Sequence, residues 1–343
     1  MVDVTFHVVD VTLTHLAFHY VGALWYSPAY QKREYSKPNG ESLMTRHVLK
    51  SIALLTFIFT AAQAQAPAPE SKQVEIFGQK IYYLEAGAAS NPVVILLHGL
   101  GGDMSNWAMT TPALSGKYHV YVLDQIGFGK SDKPIANYRV AMLVEFLDAF
   151  CKKLGVQKAT LVGNSLGGWT AAAFAIAHPE KVDKLVLVDA AGYTSKRWGG
   201  PEMTKEALAL LNPSTTEDFK RLFGLIFYNK AMQTDQFAEA ALTNKFKRGD
   251  GYTINSFIES IVRGEDFLDG KVKAIKTPTL ALWGKDDGLT PLGIGKAFVE
   301  DIPGAHLVVI ENCGHVPQME KATEFNAALL KFLGATQTAQ APR

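Results

Sequence analysis

Apolar residues along this chain fall into short unbroken runs separated by longer stretches with helical spacing. Residues 93–97 (VVILL), 119–123 (HVYVL), 159–162 (ATLV), 184–188 (KLVLV), 279–283 (TLALW) and 306–310 (HLVVI) are the runs. Segments that brief and that apolar predict strands buried on both faces. Residues 74–77 and 81–85 add two short strands joined at Gly78. Between the runs, residues 140–154 carry helix-period apolar positions and stop at Gly155, and helices are also predicted near 107–114 and over 165–177, 293–300 and 323–332. Alternating strand and helix implies an α/β fold with a mostly parallel sheet covered by helices on both faces.

The alternation breaks over about 85 residues, from 192 to 275. Four helix-prone stretches lie there, at 205–211, 217–227, 234–241 and 254–262. An insertion of that length is not expected to be bare loop. It reads as a helical cap (193–275) over one end of a core formed by 72–192 and 276–335, with 336–343 as a tail. There is no internal repeat.

The first 70 residues differ in texture. From Met44, a short basic segment with Arg46 and Lys50 precedes the uncharged run 51–62, and Ala62-Gln63-Ala64 offers an A-x-A site. That is the layout of a signal peptide over 44–64, with cleavage after Ala64 and a linker at 65–71. The run is too short to span a bilayer, which takes roughly 20 residues. The expectation is an exported enzyme, periplasmic or extracellular, that starts at Met44, with 1–43 as translated upstream sequence.

Composition narrows the function. Of 343 residues, 48% are apolar, which excludes disorder as the main state. Lys plus Arg total 34 and Asp plus Glu 33, so no basic excess points to a nucleic-acid partner. Two cysteines, Cys151 and Cys313, are too few for a disulfide framework or a cysteine zinc site, and two free thiols are the default.

The chemistry centres on Gly163-Asn164-Ser165-Leu166-Gly167-Gly168, a G-x-S-x-G sequence between a predicted strand and a predicted helix. The tight turn lifts the serine hydroxyl off the sheet, and small residues at 163 and 167 are needed where backbones nearly touch. A serine needs a base. Of nine histidines, His7, His15, His19 and His47 precede the cleavage site, and His178 sits in His-Pro at a helix end. In this architecture the base follows the serine along the chain, which sets aside His98 and His119 and leaves His306 and His315. His315, in the loop after the last strand, is preferred because open α/β sheets build sites at strand C-terminal ends. Asp286 and Asp287 compete as the acid that orients the base. Spacing from Gly284 favours Asp287.

His98-Gly99-Leu100-Gly101-Gly102 follows another strand, so the Leu100 and Leu166 N–H groups can converge on one oxyanion. His98 is expected to brace that loop. Asp124-Gln125-Ile126-Gly127-Phe128-Gly129-Lys130-Ser131 lacks a full phosphate-binding glycine pattern. Trp107, Trp169, Phe223 and Phe227 are candidates to line an apolar substrate pocket, with core packing as the competing reading for each.

Together, the His98–Gly102 loop, the Ser165 elbow, Trp283-Gly284-Lys285-Asp286-Asp287 and Gly314-His315-Val316-Pro317 resemble the α/β-hydrolase superfamily over residues 71–335. The resemblance implies a Ser–His–Asp mechanism without a cofactor or metal. A serine at 165 departs from the aspartate nucleophile of epoxide hydrolases and haloalkane dehalogenases. Val188-Asp189-Ala190-Ala191-Gly192-Tyr193 and Glu217-Asp218-Phe219 are similar to exported bacterial lipases and carboxylesterases. The meta-cleavage C–C bond hydrolases share the G-N-S-x-G-G elbow and a similar cap, but usually carry Trp after the catalytic histidine, where Val316 stands here. The expectation is a serine carboxylic ester hydrolase acting on a small-molecule ester. A C–C hydrolase is the alternative, and a silent binding module the second.

Overall fold

The computed structural model describes residues 71–334. The expected upstream segment, leader and most of the linker, and the tail, lie outside the described residues. No described helix is long and apolar enough to cross a membrane.

Eight strands form one sheet: β1 (Lys72–Ile76), β2 (Gln79–Ala86), β3 (Val93–Leu97), β4 (His119–Leu123), β5 (Ala159–Asn164), β6 (Val182–Val188), β7 (Thr279–Gly284) and β8 (His306–Ile310). Their spatial order is β1-β2-β4-β3-β5-β6-β7-β8. The first two strands pair antiparallel, as do β2 and β4. From β4 to β8 every pair is parallel.

The unbroken apolar runs follow from a core on each face. Ile95 and Leu97 of β3, Leu185 and Leu187 of β6, and Ala281 and Trp283 of β7 join one cluster. Their chain neighbours Val94, Leu96, Val186, Val188, Leu280 and Leu282 join the other. Successive residues point to opposite faces, so a strand covered on both carries apolar side chains at most of its positions.

The helices in chain order are α1 (Thr111–Ser115), α2 (Val140–Lys153), α3 (Leu166–Ala177), α4 (Ser195–Trp198), α5 (Lys205–Ala209), α6 (Thr216–Ile226), α7 (Asp235–Arg248), α8 (Gly251–Val262), α9 (Leu292–Asp301), α10 (Pro317–Glu320) and α11 (Ala322–Gly334). Helix α2 buries Val140, Leu143, Val144, Leu147, Phe150 and Cys151, a stripe at three- and four-residue spacing. Helix α3 buries Ala171, Ala172 and Ala175, whose small side chains let it approach the sheet closely. The single helix expected near 107–114 is two elements. A 3₁₀ turn, Met104–Trp107, is capped by Asp103, and α1 follows with Pro112 in its first turn. Proline is tolerated there but would break a continuous helix.

Helices α4 to α8 occupy the insertion. Thr204, Thr215 and Thr234 each accept the backbone N–H three residues on, which starts α5, α6 and α7. Helix α7 runs well past the expected 241 and ends at Gly249, whose φ of 66° is left-handed. Only Ala238 of α7 is buried, so the helix lacks the apolar period by which its length could be read.

Candidate active site

Ser165 stands between β5 and α3 with φ 55° and ψ −118°. A non-glycine residue held there costs of order 1–3 kcal/mol and needs its surroundings to enforce it. They do. The Ser165 N–H donates to Val188 O at 2.9 Å, and Ser165 O accepts from Ala191 N at 3.1 Å. The glycines leave no room for substitution. A Cβ on Gly163 would lie 2.2 Å from Gly167 O, and one on Gly167 would lie 2.3 Å from Leu97 O. A Cβ on Gly99 would sit 3.1 Å from the Ser165 Cβ, so the loop carrying Leu100 lies against the serine. Leu166 opens α3 at the same place.

His98 is buried and its tautomer follows from its partners. Nδ1 faces the Gly99 carbonyl at 2.8 Å and must donate, while Nε2 accepts the Gln125 N–H at 3.1 Å. Burial pushes its pKa down, in keeping with a neutral ring. It braces the Leu100 loop and leaves no nitrogen for chemistry. The glycine loop after β4 is folded around Asp124, whose carboxylate accepts the Met104 and Lys130 N–H groups at 2.7 Å each. Those amides are taken, which fits the absence of a phosphate motif.

His315 and Asp287 meet at the ends of β8 and β7. Nδ1 of His315 is 2.8 Å from Asp287 Oδ2, and both residues are buried. Asp287 Oδ1 accepts the Leu289 N–H at 2.8 Å and the Thr290 N–H at 3.0 Å. The Thr290 hydroxyl donates to Oδ2 at 2.6 Å. Asn164 Nδ2 donates to His315 O at 3.0 Å, which ties the elbow to the histidine loop. Asp286 is exposed, and His306 starts β8 with its side chain exposed. Asp189, Asp287 and His315 offer polar atoms within 4.8 Å of one another, close enough for a metal ion. The donors on Asp287 and its bond to His315 already engage two of the three groups.

The aromatic candidates scatter. Trp107 is fully buried and packs on Phe325, so it is core and not pocket wall. Trp169 is 3% exposed, stacks on Phe267 and donates to Asp266 O at 3.0 Å, and is also core. Phe223 sits between Phe219 and Phe227 on the cap. Phe227 borders a cleft of about 680 Å³ with Asp286, Asn312, Glu320 and Lys321, on which neither Ser165 nor His315 opens. Cys151 and Cys313 are buried, unpaired, and belong to the two different core clusters.

Sequence reading missed Glu320. Its carboxylate accepts the Gly314 N–H at 2.7 Å and the Tyr228 N–H at 3.3 Å, and also the Asn229 N–H. Beside it, the end of the cap helix α6 supplies carbonyls. Ile226 O accepts from His315 N at 2.7 Å, and Leu225 O from Gly288 N at 3.0 Å. At the other side, Arg248 of α7 donates to Gly101 O at 2.9 Å and pairs with Asp103. These bonds tie α6 and α7 to the loops that carry Asp287, His315 and Leu100. Changing Glu320 to Gln turns one acceptor into a donor facing a donor. We expect a loss of about 1–3 kcal/mol, read as a lower urea midpoint at unchanged slope. An unchanged midpoint removes Glu320 from this role.

The family described as alpha/beta hydrolase fold matches residues 92–322. The chain belongs to that family. It is 34% identical over 271 residues to a 2-hydroxy-6-oxononadienedioate/2-hydroxy-6-oxononatrienedioate hydrolase of Paraburkholderia phymatum, covering 74% of this chain and 91% of the relative. Among solved structures, a meta-cleavage product hydrolase from Pseudomonas fluorescens IP01 is 30% identical, with TM-score 0.65, covering 76% of this chain and 97% of that one. A membrane phospholipase A described as a bacterial virulence factor is also 30% identical, with TM-score 0.70, covering 87% and 99%.

These relatives correct the expected ester substrate. The curated hydrolases that match across most of their length are named for oxo-dienedioates, which places this α/β-fold hydrolase beside C–C hydrolases. The physical reason for the miss is plain. A serine, its base and an oxyanion loop act on a carbonyl, and they do not reveal whether the leaving group departs through oxygen or carbon.

Proposed function

We propose that this hydrolase cleaves a carbon–carbon bond next to the ketone of a 2-hydroxy-6-oxo-dienoate, a vinylogous 1,5-diketone. The observation that carries the reading is the 34% identity over 91% of a relative named for such a compound. The geometry agrees with it. Ser165 attacks the ketone carbonyl, and its proton passes to His315. The Leu100 and Leu166 N–H groups receive the oxyanion. The 2-hydroxy group ketonises first, losing its proton while C5 gains one, so that when the C5–C6 bond breaks the electron pair passes through the enone to the 2-oxo group and the dienolate takes a proton from His315. Water, activated by the same imidazole, then releases the acyl group as a carboxylic acid. Asp287 holds His315 with Nδ1 protonated and Nε2 free to accept.

The test is a substrate panel on the purified protein. We expect kcat/KM on a 2-hydroxy-6-oxo-dienedioate to exceed that on p-nitrophenyl esters and phospholipid by about tenfold or more. Faster turnover of any ester or phospholipid overturns the reading.

A further inference from the structure

Asp189 follows directly on β6 and is fully buried, with φ 42°. That backbone costs an aspartate about 1–3 kcal/mol, as it does Ser165. The turn holds its carboxyl behind the triad. One oxygen accepts the Gly284 N–H at 2.8 Å, and the other, Oδ2, is buried with no donor. Oxygens of Asp189 and Asp287 and a ring nitrogen of His315 all lie within 4.8 Å.

A donor-less oxygen on a buried carboxyl that comes within 4.8 Å of a second carboxylate is a costly arrangement. It ceases to be one if a proton sits between them. Asp287 has four donors, from Leu289 N, Thr290 N, Thr290 Oγ1 and His315 Nδ1. Asp189 has one, so the proton belongs on Asp189. We propose that Asp189 is a positioning residue that keeps its proton and donates it to Asp287, fixing that carboxylate in line with His315.

The surroundings agree. Burial first, then the charge of Asp287, hold the Asp189 carboxyl well above the usual carboxylate range, and Glu320 adds to this against the lowering effect of the Gly284 N–H. The Cys313 thiol and Thr290, whose hydroxyl lies 2.9 Å from Asp189 O, complete the groups around it. The site then holds one negative charge beside His315 and not two. A second charge would over-stabilise the imidazolium and leave it a poorer acid when the leaving group needs its proton.

The proposal rests on the triad but not on the substrate, and its first test needs no turnover. In the resting wild-type enzyme with isotope-labelled aspartate, infrared spectra at pH 8 are expected to show a protonated-carboxyl C=O band that Asp189→Asn removes. Kinetics give the second test. Asn is neutral and keeps an N–H donor, so Asp189→Asn is expected to hold kcat within about threefold and leave the acid limb of the pH–rate profile in place. Asp189→Leu removes the donor and is expected to lower kcat about 10- to 100-fold at similar KM. If Asp189 is ionised instead, no band appears, and Asp189→Asn moves the acid limb down by about one pH unit, because a charge favouring imidazolium is gone. Either result overturns the proposal. A missing band in the wild type overturns the proposal without any variant, and assigning a present one needs Asp189→Asn only to fold, not to turn over. The band also separates this failure from failure of the triad, which would show as activity surviving in Ser165→Ala.

Discussion

Ser165→Ala is expected to lower kcat by roughly 10⁴-fold or more while leaving the fold unchanged. Both halves follow from how the residue is held. The fold uses the backbone of Ser165, through Val188 O, Trp169 N and Ala191 N. Its strained φ of 55° is imposed by the packed glycines and falls on alanine as it falls on serine. The hydroxyl is not needed to hold any of this, so its removal should move stability by no more than about 0.5 kcal/mol, as for a change that creates no cavity. What disappears is the atom that attacks. The remaining oxyanion donors and binding contacts still leave some acceleration over water, so the residual rate is small but not zero. Single-turnover rates on the dienedioate, with thermal unfolding of both proteins alongside, measure the two quantities. A variant that keeps more than about 1% of kcat with an unchanged midpoint removes Ser165 from the nucleophile role.

The regular part of the molecule was legible because its physics is local. Six of the eight strands announced themselves as short apolar runs, since a strand covered on both faces carries apolar side chains at most of its positions. The elbow was legible because a Cβ on Gly163 or Gly167 would fall little more than 2 Å from neighbouring backbone, so only glycine fits. The loops after β7 and β8 were legible as places, through their position at strand ends. What was illegible depends on contacts across long separations. Glu320 bonds to residues some 90 positions earlier, and nothing in its own neighbourhood marks it out. Asp189 reads as one more polar residue after a strand, and its burial against Asp287 appears only once β6 and β7 are paired. Trp107 was open between pocket and core, and the 3₁₀ turn that places it against Phe325 decides for the core. The bond cleaved was illegible for a different reason. A serine, a base and an oxyanion loop serve an ester carbonyl and a ketone alike, so the residues that mark the site do not mark the leaving group.

Asp287→Asn is expected to lower kcat about 10⁴-fold with little change in KM. An amide is nearly the same shape as a carboxylate, so the argument concerns which way round it lies. Oδ1 of Asp287 accepts two backbone N–H groups, from Leu289 and Thr290. Asparagine must put its oxygen there, because an NH₂ group would face two donors at 2.8 and 3.0 Å. Its nitrogen then lands where Oδ2 was, 2.8 Å from His315 Nδ1. Nδ1 now meets a donor and must become the acceptor, so the ring proton moves to Nε2, the nitrogen that has to take the proton of Ser165. The base is present, in place and in the wrong tautomer. Asp286→Asn is the control. Its side chain is exposed beside the outer cleft, and its loss should leave kcat within about twofold, as for an ordinary surface change. If the two variants behave alike, or if Asp287→Asn retains a tenth of the parent rate, Asp287 does not orient the base.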